Sequence, residues 1–204
     1  MIETFAASLA APWARIPKLA LFGAAALVQV ALLTVMIIDR AQILREGTEI
    51  TLQTRPVDPR DLLRGDYVVL GYDISQLPAG SLLNQPAGTH NPMVFVKLAP
   101  NREGLYEAVS VHAEAVAVTS PDVLIRGRVA YGATCGSTGR AFCDKLRISY
   151  NLESYFVPEG EGLKLEQLRN QSKLTVVAAV LPTGRAAIKR LLIDGKPAYE
   201  EPWF

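Results

Sequence analysis

The amino-acid sequence predicts a mainly β protein, with an antiparallel barrel- or sandwich-like domain and one short helix, preceded by a single N-terminal transmembrane helix. Two observations lead to this prediction. A continuous apolar run occupies Leu19–Ile38, and the residues after it form short alternating segments separated by Gly, Pro and Asn. A helix-type pattern occurs at Leu163–Asn170, where Leu165 and Leu168 share one side. The strand pattern is compatible with either a barrel or a sandwich.

The apolar run is long enough to cross a bilayer as a helix. Among its 20 residues, the clearly polar ones are Gln29 and Thr34. At a rise of about 1.5 Å per residue, the run extends about 30 Å, which is the thickness of a hydrocarbon core. A cleaved signal peptide would have a shorter apolar core followed by small residues, whereas Asp39 and Arg40 follow here. We therefore predict an uncleaved anchor whose helix ends before Gly47.

The chain divides into a short cytoplasmic leader (residues 1–18), a transmembrane helix with its extension (19–46) and a periplasmic β-rich domain (47–204). Basic residues occur on both sides of the apolar run, so charge alone does not orient it. Cys135 and Cys143 favour an oxidising compartment, since their spacing suits a disulfide. Two free buried thiols are the alternative. The predicted location is the inner membrane, with a single span, the lipid bilayer as a partner and the bulk of the chain in the periplasm.

The predicted strands follow one another along the domain. A turn or loop joins each of three consecutive pairs of these strands. The pairs are the third with the fourth, the fifth with the sixth, and the seventh with the eighth. Gln76–Pro92 is rich in Gly, Pro and Asn and is predicted as a surface loop. The predicted strands are Glu49–Thr54, Tyr67–Ile74, Met93–Leu98, Leu105–His112, Val123–Tyr131, Leu146–Tyr150, Leu174–Leu181 and Ala186–Ile193.

The strand Val123–Tyr131 and the strand Leu146–Tyr150 form the clearest pair. On the first strand, Arg126 and Arg128 alternate with apolar residues and are therefore predicted on the opposite face. Both cysteines lie in the connection between these strands. A disulfide there would close a hairpin end and contribute about 2–3 kcal/mol in the chain-entropy model. Its predicted role is structural.

No pattern in the sequence indicates a cofactor or a metal. The two histidines, His90 and His112, lack Cys, His or carboxylate residues at ligand spacing and are predicted to be ordinary surface residues. The net charge of +1 provides no overall basic field for nucleic acid. We therefore predict no cofactor, no metal and no nucleic-acid partner.

An enzyme distantly similar to type I signal peptidases is an alternative. The segment Gly65–Leu70 resembles the Gly-Asp and apolar strand of those enzymes, and Lys97 is a conceivable base on a later strand. The nucleophile is missing, because Thr54–Leu63 contains no serine. Without a hydroxyl activated by a base, covalent catalysis has no starting group.

A densely charged segment precedes the second predicted strand. Its charges alternate in sign, which favours a charge-paired turn, while a binding surface for a partner or small ligand is the functional alternative. Tyr67 and Tyr72 follow, and their spacing places them on opposite faces of a regular strand, one towards the core and one exposed. The charged residues are Asp58, Arg60, Asp61, Arg64 and Asp66.

The residues Gly65-Asp66-Tyr67, then Leu70 and Tyr72, spell Gly-Asp-Tyr-x-x-Leu-x-Tyr. Over roughly residues 30 to 204, the chain resembles the GDYXXLXY proteins, a bacterial membrane-anchored family. The resemblance implies one N-terminal membrane helix and association with a polytopic membrane protein, and it carries over no catalytic residues. The further segments that carry it are Val57–Asp61, Leu124–Arg128, Tyr155–Gly160 and Leu192–Gly195.

The sequence therefore favours a non-enzymatic, membrane-anchored protein that acts with a multi-span membrane partner or in envelope assembly. The second hypothesis is an envelope enzyme or small-ligand binder. In that hypothesis, one cleft contains Asp58, Asp66, Arg126, Arg128 and Glu159. The full candidate interaction surface comprises Asp58, Arg60, Asp61, Arg64, Asp66, Tyr67, Tyr72, Arg126, Arg128, Tyr155 and Glu159.

Overall fold

The computed structural model describes residues 18–57, 67–78, 82–83, 93–129 and 145–202. The chain forms two compact units, of which the first extends to Arg40 and the second begins at Ala41. The predictions for residues 1–17 of the leader, for the charged residues 58–66 and for both cysteines lie outside the described residues.

Helix α1 (Lys18–Glu46) contains the whole predicted anchor and its extension. It is long and apolar enough to cross a membrane by length and composition. The side chains of the apolar run are exposed, as expected where the solvent of the helix is lipid rather than water. The Thr34 hydroxyl donates a hydrogen bond to the Val30 carbonyl at 2.8 Å, within the same helix. The prediction of one long apolar helix is confirmed.

Helix α1 ends at Glu46, immediately before Gly47, as predicted. The Gly47 N–H donates to the Ile43 carbonyl at 3.0 Å. A Cβ atom at position 47 would lie 2.5 Å from that carbonyl oxygen and 2.8 Å from the Val180 nitrogen, so the position requires glycine. The last turn of α1 therefore packs directly on the β domain. The buried cluster that joins them comprises Ile43, Leu44, Ala179, Leu181 and Ala187.

Thirteen strands and a second helix follow among the described residues. A short 3-10 turn, Asp73–Ser75, separates the third strand from the fourth. The elements are β1 (Thr48–Arg55), β2 (Tyr67–Val69), β3 (Gly71–Tyr72), β4 (Gln76–Pro78), β5 (Leu82–Leu83), β6 (Met93–Pro100), β7 (Tyr106–His112), β8 (Val123–Val129), β9 (Lys145–Ser149), β10 (Ser154–Phe156), α2 (Gly162–Asn170), β11 (Leu174–Val180), β12 (Ala186–Ile193) and β13 (Lys196–Glu200).

The strands form a nearly closed, barrel-like arrangement. One sheet has the order β13-β12-β11-β1-β3, a second has the order β4-β9-β8-β6-β7-β5, and β10 pairs with β2. The β5–β7 pair is parallel. A bridge between Thr51 and Leu105 links the first two sheets, and the Arg126 N–H donates to the Gly184 carbonyl at 2.7 Å. Of the two predicted alternatives, the domain is therefore barrel-like.

Alternation of apolar and polar residues positions the core as the sequence predicts. Ile50 and Leu52 point inward from β1, and Ile125 and Val129 do so from β8. Their faces meet Ile148 of β9 and the apolar residues of β11 in one continuous cluster. Burying these side chains contributes about 1.5–3 kcal/mol each relative to exposure. The two predicted pairings, β6–β7 and β8–β9, are confirmed, and β11 also pairs with β12, which the turn between them joins.

The prediction of one strand over Tyr67–Ile74 is wrong. The chain changes pairing partner at Leu70, whose N–H donates to the Glu153 carbonyl at 2.8 Å and so continues the β2–β10 pairing. The next residue, Gly71, pairs with Arg55 of β1. Four further strands were not predicted. Strands β4 and β5 lie inside the predicted loop 76–92, β10 precedes the predicted helix, and β13 follows the predicted turn after β12.

Candidate functional site

Tyr67 of the motif forms an aromatic pair with Phe156 at the surface of the domain. Tyr67 on β2 is opposite Phe156 on β10 in the strand register, and the ring centroids are 6.0 Å apart with planes tilted by 49°. Tyr67 is half-buried, whereas Phe156 is 79% exposed. The motif tyrosine therefore has a large apolar ring beside it at the surface of the domain.

The other motif residues are structural. Leu70 and Tyr72 are both buried in the core. The Tyr72 hydroxyl donates to the Leu152 carbonyl at 2.6 Å, and burial raises the pKa of Tyr72 well above its ordinary value. The phenol therefore remains a neutral donor. A second buried phenol, that of Tyr150, donates to the Ile74 carbonyl at 2.7 Å in the opposite direction. The two bonds tie the motif to the segment that leads into β10.

Two members of the predicted interaction surface need correction. Tyr72 and Tyr155 are buried, so neither is available at an exposed surface. Tyr155 pairs with Val68 in the β2–β10 register and points into the core. The spacing of Tyr67 and Tyr72 predicted one ring in the core and one exposed. The structure places Tyr72 in the core and leaves Tyr67 partly exposed.

Arg169, which no sequence pattern indicated, donates hydrogen bonds to the backbone on both sides of the charged segment. It lies on α2 and is fully buried. Its Nη2 donates to the Val57 carbonyl at 2.8 Å, and its Nη1 donates to the Val69 carbonyl. Its Nε and Nη2 also donate to the side-chain oxygen of Asn170 at 3.2 and 3.0 Å. Val57 immediately precedes residue 58 and Val69 follows residue 66 by three positions. One guanidinium therefore holds the backbone before and after the charged segment.

Burial acts against the charged form of Arg169. Desolvation lowers the pKa of Arg169, and the nearby Glu166 carboxylate partly offsets this effect. The Glu166 Oε1 lies 3.9 Å from Nη1. A fork of donors with a fixed geometry suits two carbonyls and an amide oxygen better than the single ammonium of lysine would. No signal in the sequence distinguishes this arginine from the exposed basic residues of a short surface helix.

The predicted arginines of β8 lie where the alternation places them. Arg126 and Arg128 are exposed on the outer face of the six-stranded sheet, and Arg147 on β9 is exposed on the same face. None of the three forms an ion pair with another residue in the described part of the chain. Glu159 is also exposed, but it lies on the turn that leads into α2 rather than on this sheet. Arg126 and Arg128 are therefore together, and Glu159 belongs to a different element.

The lysine of the signal-peptidase alternative and the Ser110–His112 pair have the following contacts in the structure. Lys97 Nζ forms an ion pair with Asp122 Oδ2 at 2.7 Å. The Ser110 hydroxyl and His112 Nε2 lie 2.8 Å apart at neighbouring positions of one face of β7. The described residues contain no group of three or more His, Cys, Asp or Glu that could hold a metal ion.

The fold and these contacts define a class of protein: a β-barrel-like domain that directly follows a helix long enough to span a membrane, with a buried arginine that binds the Val57 and Val69 carbonyls. The family model for GDYXXLXY protein matches residues 29–191. The chain belongs to the GDYXXLXY family. No curated protein matches the chain, and no solved structure does so.

Proposed function

We propose that this chain is a non-enzymatic inner-membrane protein, anchored by α1, whose β domain lies in the periplasm and which acts with a multi-span membrane protein or in envelope assembly. The observation that carries the proposal is the position of Gln29. It lies at the centre of the 20-residue apolar run and therefore at the midplane of a bilayer that α1 spans.

The Gln29 amide has two donors and an acceptor, and leaving them unpaired in hydrocarbon is unfavourable. The Gln29 side chain makes no hydrogen bond with another residue in the described part of the chain. Thr34, the other polar residue of the run, is different because its hydroxyl is already bonded to the Val30 carbonyl. A neighbouring transmembrane helix would provide partners for Gln29, and such bonds are worth about 0.6–2 kcal/mol.

The Tyr67–Phe156 pair supports a second contact with the same partner outside the bilayer. Phe156 exposes most of its ring, and the segment 151–161 around it contains three glutamates and no lysine or arginine. An aromatic group in an acidic surrounding favours a partner surface that combines apolar and basic residues.

The test is co-purification of the full chain from native membranes in mild detergent, with a tag after the C-terminus. Gln29→Leu is expected to lose the multi-span partner, because the variant helix no longer presents an amide. Thr34→Val is the matched control, since it removes a polar group that is satisfied within α1, and it is expected to retain the partner. Equal recovery of the partner with both variants, or recovery of the wild-type chain alone, would refute the proposal.

The orientation has its own measurement. A reporter fused after the C-terminus and active only outside the cytoplasm is expected to be active. Alkylation without reductant is expected to label neither Cys135 nor Cys143, and labelling of both only after reduction would agree with the disulfide. An inactive reporter together with freely alkylated thiols would place the domain in the cytoplasm.

A further inference from the structure

The outer face of β8 and β9 carries a group of arginines that form no ion pair within the described part of the chain. Arg126 and Arg128 are two residues apart on β8, which places them about 7 Å apart on one face. Arg128 pairs with Ser149, so Arg147 is its diagonal neighbour on β9 at about 7–8 Å. All three side chains are exposed. We call these three residues the arginine face.

The neighbouring strand adds apolar side chains to this face. Met93 on β6 lies opposite Arg128, and Phe95 lies opposite Arg126. Met93 is 46% exposed, and Phe95 is half-buried. The carboxylate of Asp122, just before β8, is paired with Lys97 on β6 and does not neutralise the arginines. Exposed cations beside an exposed apolar side chain suit the headgroup region of a membrane.

One residue of the arginine face, Arg126, is linked by backbone hydrogen bonds to the segment that packs with the last turn of α1. The Arg126 N–H donates to the Gly184 carbonyl at 2.7 Å, and the Gly184 N–H donates to the Leu181 carbonyl at 2.8 Å. Leu181 packs with Ile43 of the last turn of α1. The apolar run ends at Ile38, a few residues before this contact. Few residues along the chain therefore separate this edge of the domain from the end of the apolar run.

We propose that the arginine face binds the anionic headgroups of the membrane in which the protein is anchored, so that the β domain rests on the lipid surface. This inference rests on the proposed anchoring by α1 but does not involve a protein partner. The favoured ligand is a phospholipid surface with negative charge. The charge on three neighbouring arginines selects it over a zwitterionic surface, and the attraction weakens at high salt.

The experiment uses the full chain in nanodiscs of phosphatidylcholine, with or without phosphatidylglycerol. A benzophenone amino acid replaces Ser149, which is exposed and pairs with Arg128. A second preparation carries it at Glu103, in the exposed turn between β6 and β7. Mass spectrometry after irradiation reports the adducts. We expect a lipid adduct at position 149 that is roughly tenfold more abundant with phosphatidylglycerol and falls at high salt, and no adduct at position 103.

Charge variants complete the test. Arg126→Gln, Arg128→Gln and Arg147→Gln together are expected to lower the adduct roughly tenfold. The matched control removes three exposed cations elsewhere, by Arg102→Gln, Lys173→Gln and Lys196→Gln, and is expected to leave the adduct unchanged. Equal yields from both triple variants, equal yields in both lipids, or an adduct to a second copy of the chain would overturn the proposal. Retention in the nanodisc without a lipid adduct would reject only the arginine face, whereas loss from the nanodisc would reject the anchoring as well.

Discussion

The strongest quantitative prediction concerns Arg169. Arg169→Met keeps most of the side-chain volume but removes every donor. The carbonyls of Val57 and Val69 then lose the partner that the guanidinium provides. Each buried acceptor left without a donor costs about 1–3 kcal/mol. The variant also removes the desolvation penalty of a buried guanidinium, and this gain offsets part of the loss. We expect a net loss of about 3 kcal/mol in the free energy of unfolding.

For a chain of this length, about 3 kcal/mol corresponds to a fall in Tm of about 6–12 °C. The assay is thermal unfolding of the full chain in detergent, followed by near-UV circular dichroism of the tyrosines, which report on the β domain and not on α1. Lys164→Met on the same helix is the control. Lys164 is exposed and lies 3.7 Å from Glu161 in a surface ion pair, so its loss is expected to change stability by less than about 0.5 kcal/mol.

A third variant separates charge from geometry. Arg169→Lys retains the positive charge, but one ammonium on a flexible stem cannot reproduce the fork that reaches Val57 and Val69. Its Tm is expected to fall between those of the wild type and Arg169→Met. If Arg169→Met melts within about 1 °C of the Lys164→Met control, the guanidinium does not stabilise the two carbonyls and the reasoning is wrong.

Two further predictions follow from buried and surface hydrogen bonds. Tyr72→Phe leaves the Leu152 carbonyl without its donor and is expected to lower the free energy of unfolding by about 1–2 kcal/mol, measured by the urea midpoint; an unchanged midpoint would contradict it. The pKa of Glu49 lies below its ordinary value, first because Lys189 donates a hydrogen bond to it and also because Arg190 is close. The folded state thus gains stability from Glu49 above its unfolded-state pKa and loses it as pH falls through the lower folded-state pKa. The amount is less than about 1 kcal/mol because the carboxylate is largely solvated. Glu49→Gln is expected to flatten this acid dependence of Tm, and parallel curves for both chains would refute it.

Local patterns predicted most of the fold. The apolar run fixed α1, and Gly47 ended it because no other residue fits between Ile43 and Val180. Alternation placed Arg126 and Arg128 outside and Ile125 inside, since a strand with one buried face has a period of two. These features depend on neighbours in the sequence and are therefore visible in it.

The features that the sequence did not reveal depend on distant partners. The break at Leu70 arises because Glu153, more than eighty residues later, accepts its N–H. The role of Arg169 depends on two carbonyls about one hundred residues earlier. Backbone carbonyls have no sequence signature, so a buried arginine that binds them looks like any other basic residue on a short helix.

The arrangement around Arg169 also bears on how this family can vary. The guanidinium donates hydrogen bonds to the Val57 and Val69 carbonyls, which lie on either side of the charged segment in the sequence. The barrel therefore does not rely on the residues between them to keep these two points together. Changing the length of a flexible connection whose ends are already held together has a small entropic cost, about 0.6 kcal/mol for each doubling. We therefore expect the barrel to tolerate sequence changes within residues 58–66 as long as Arg169 is retained.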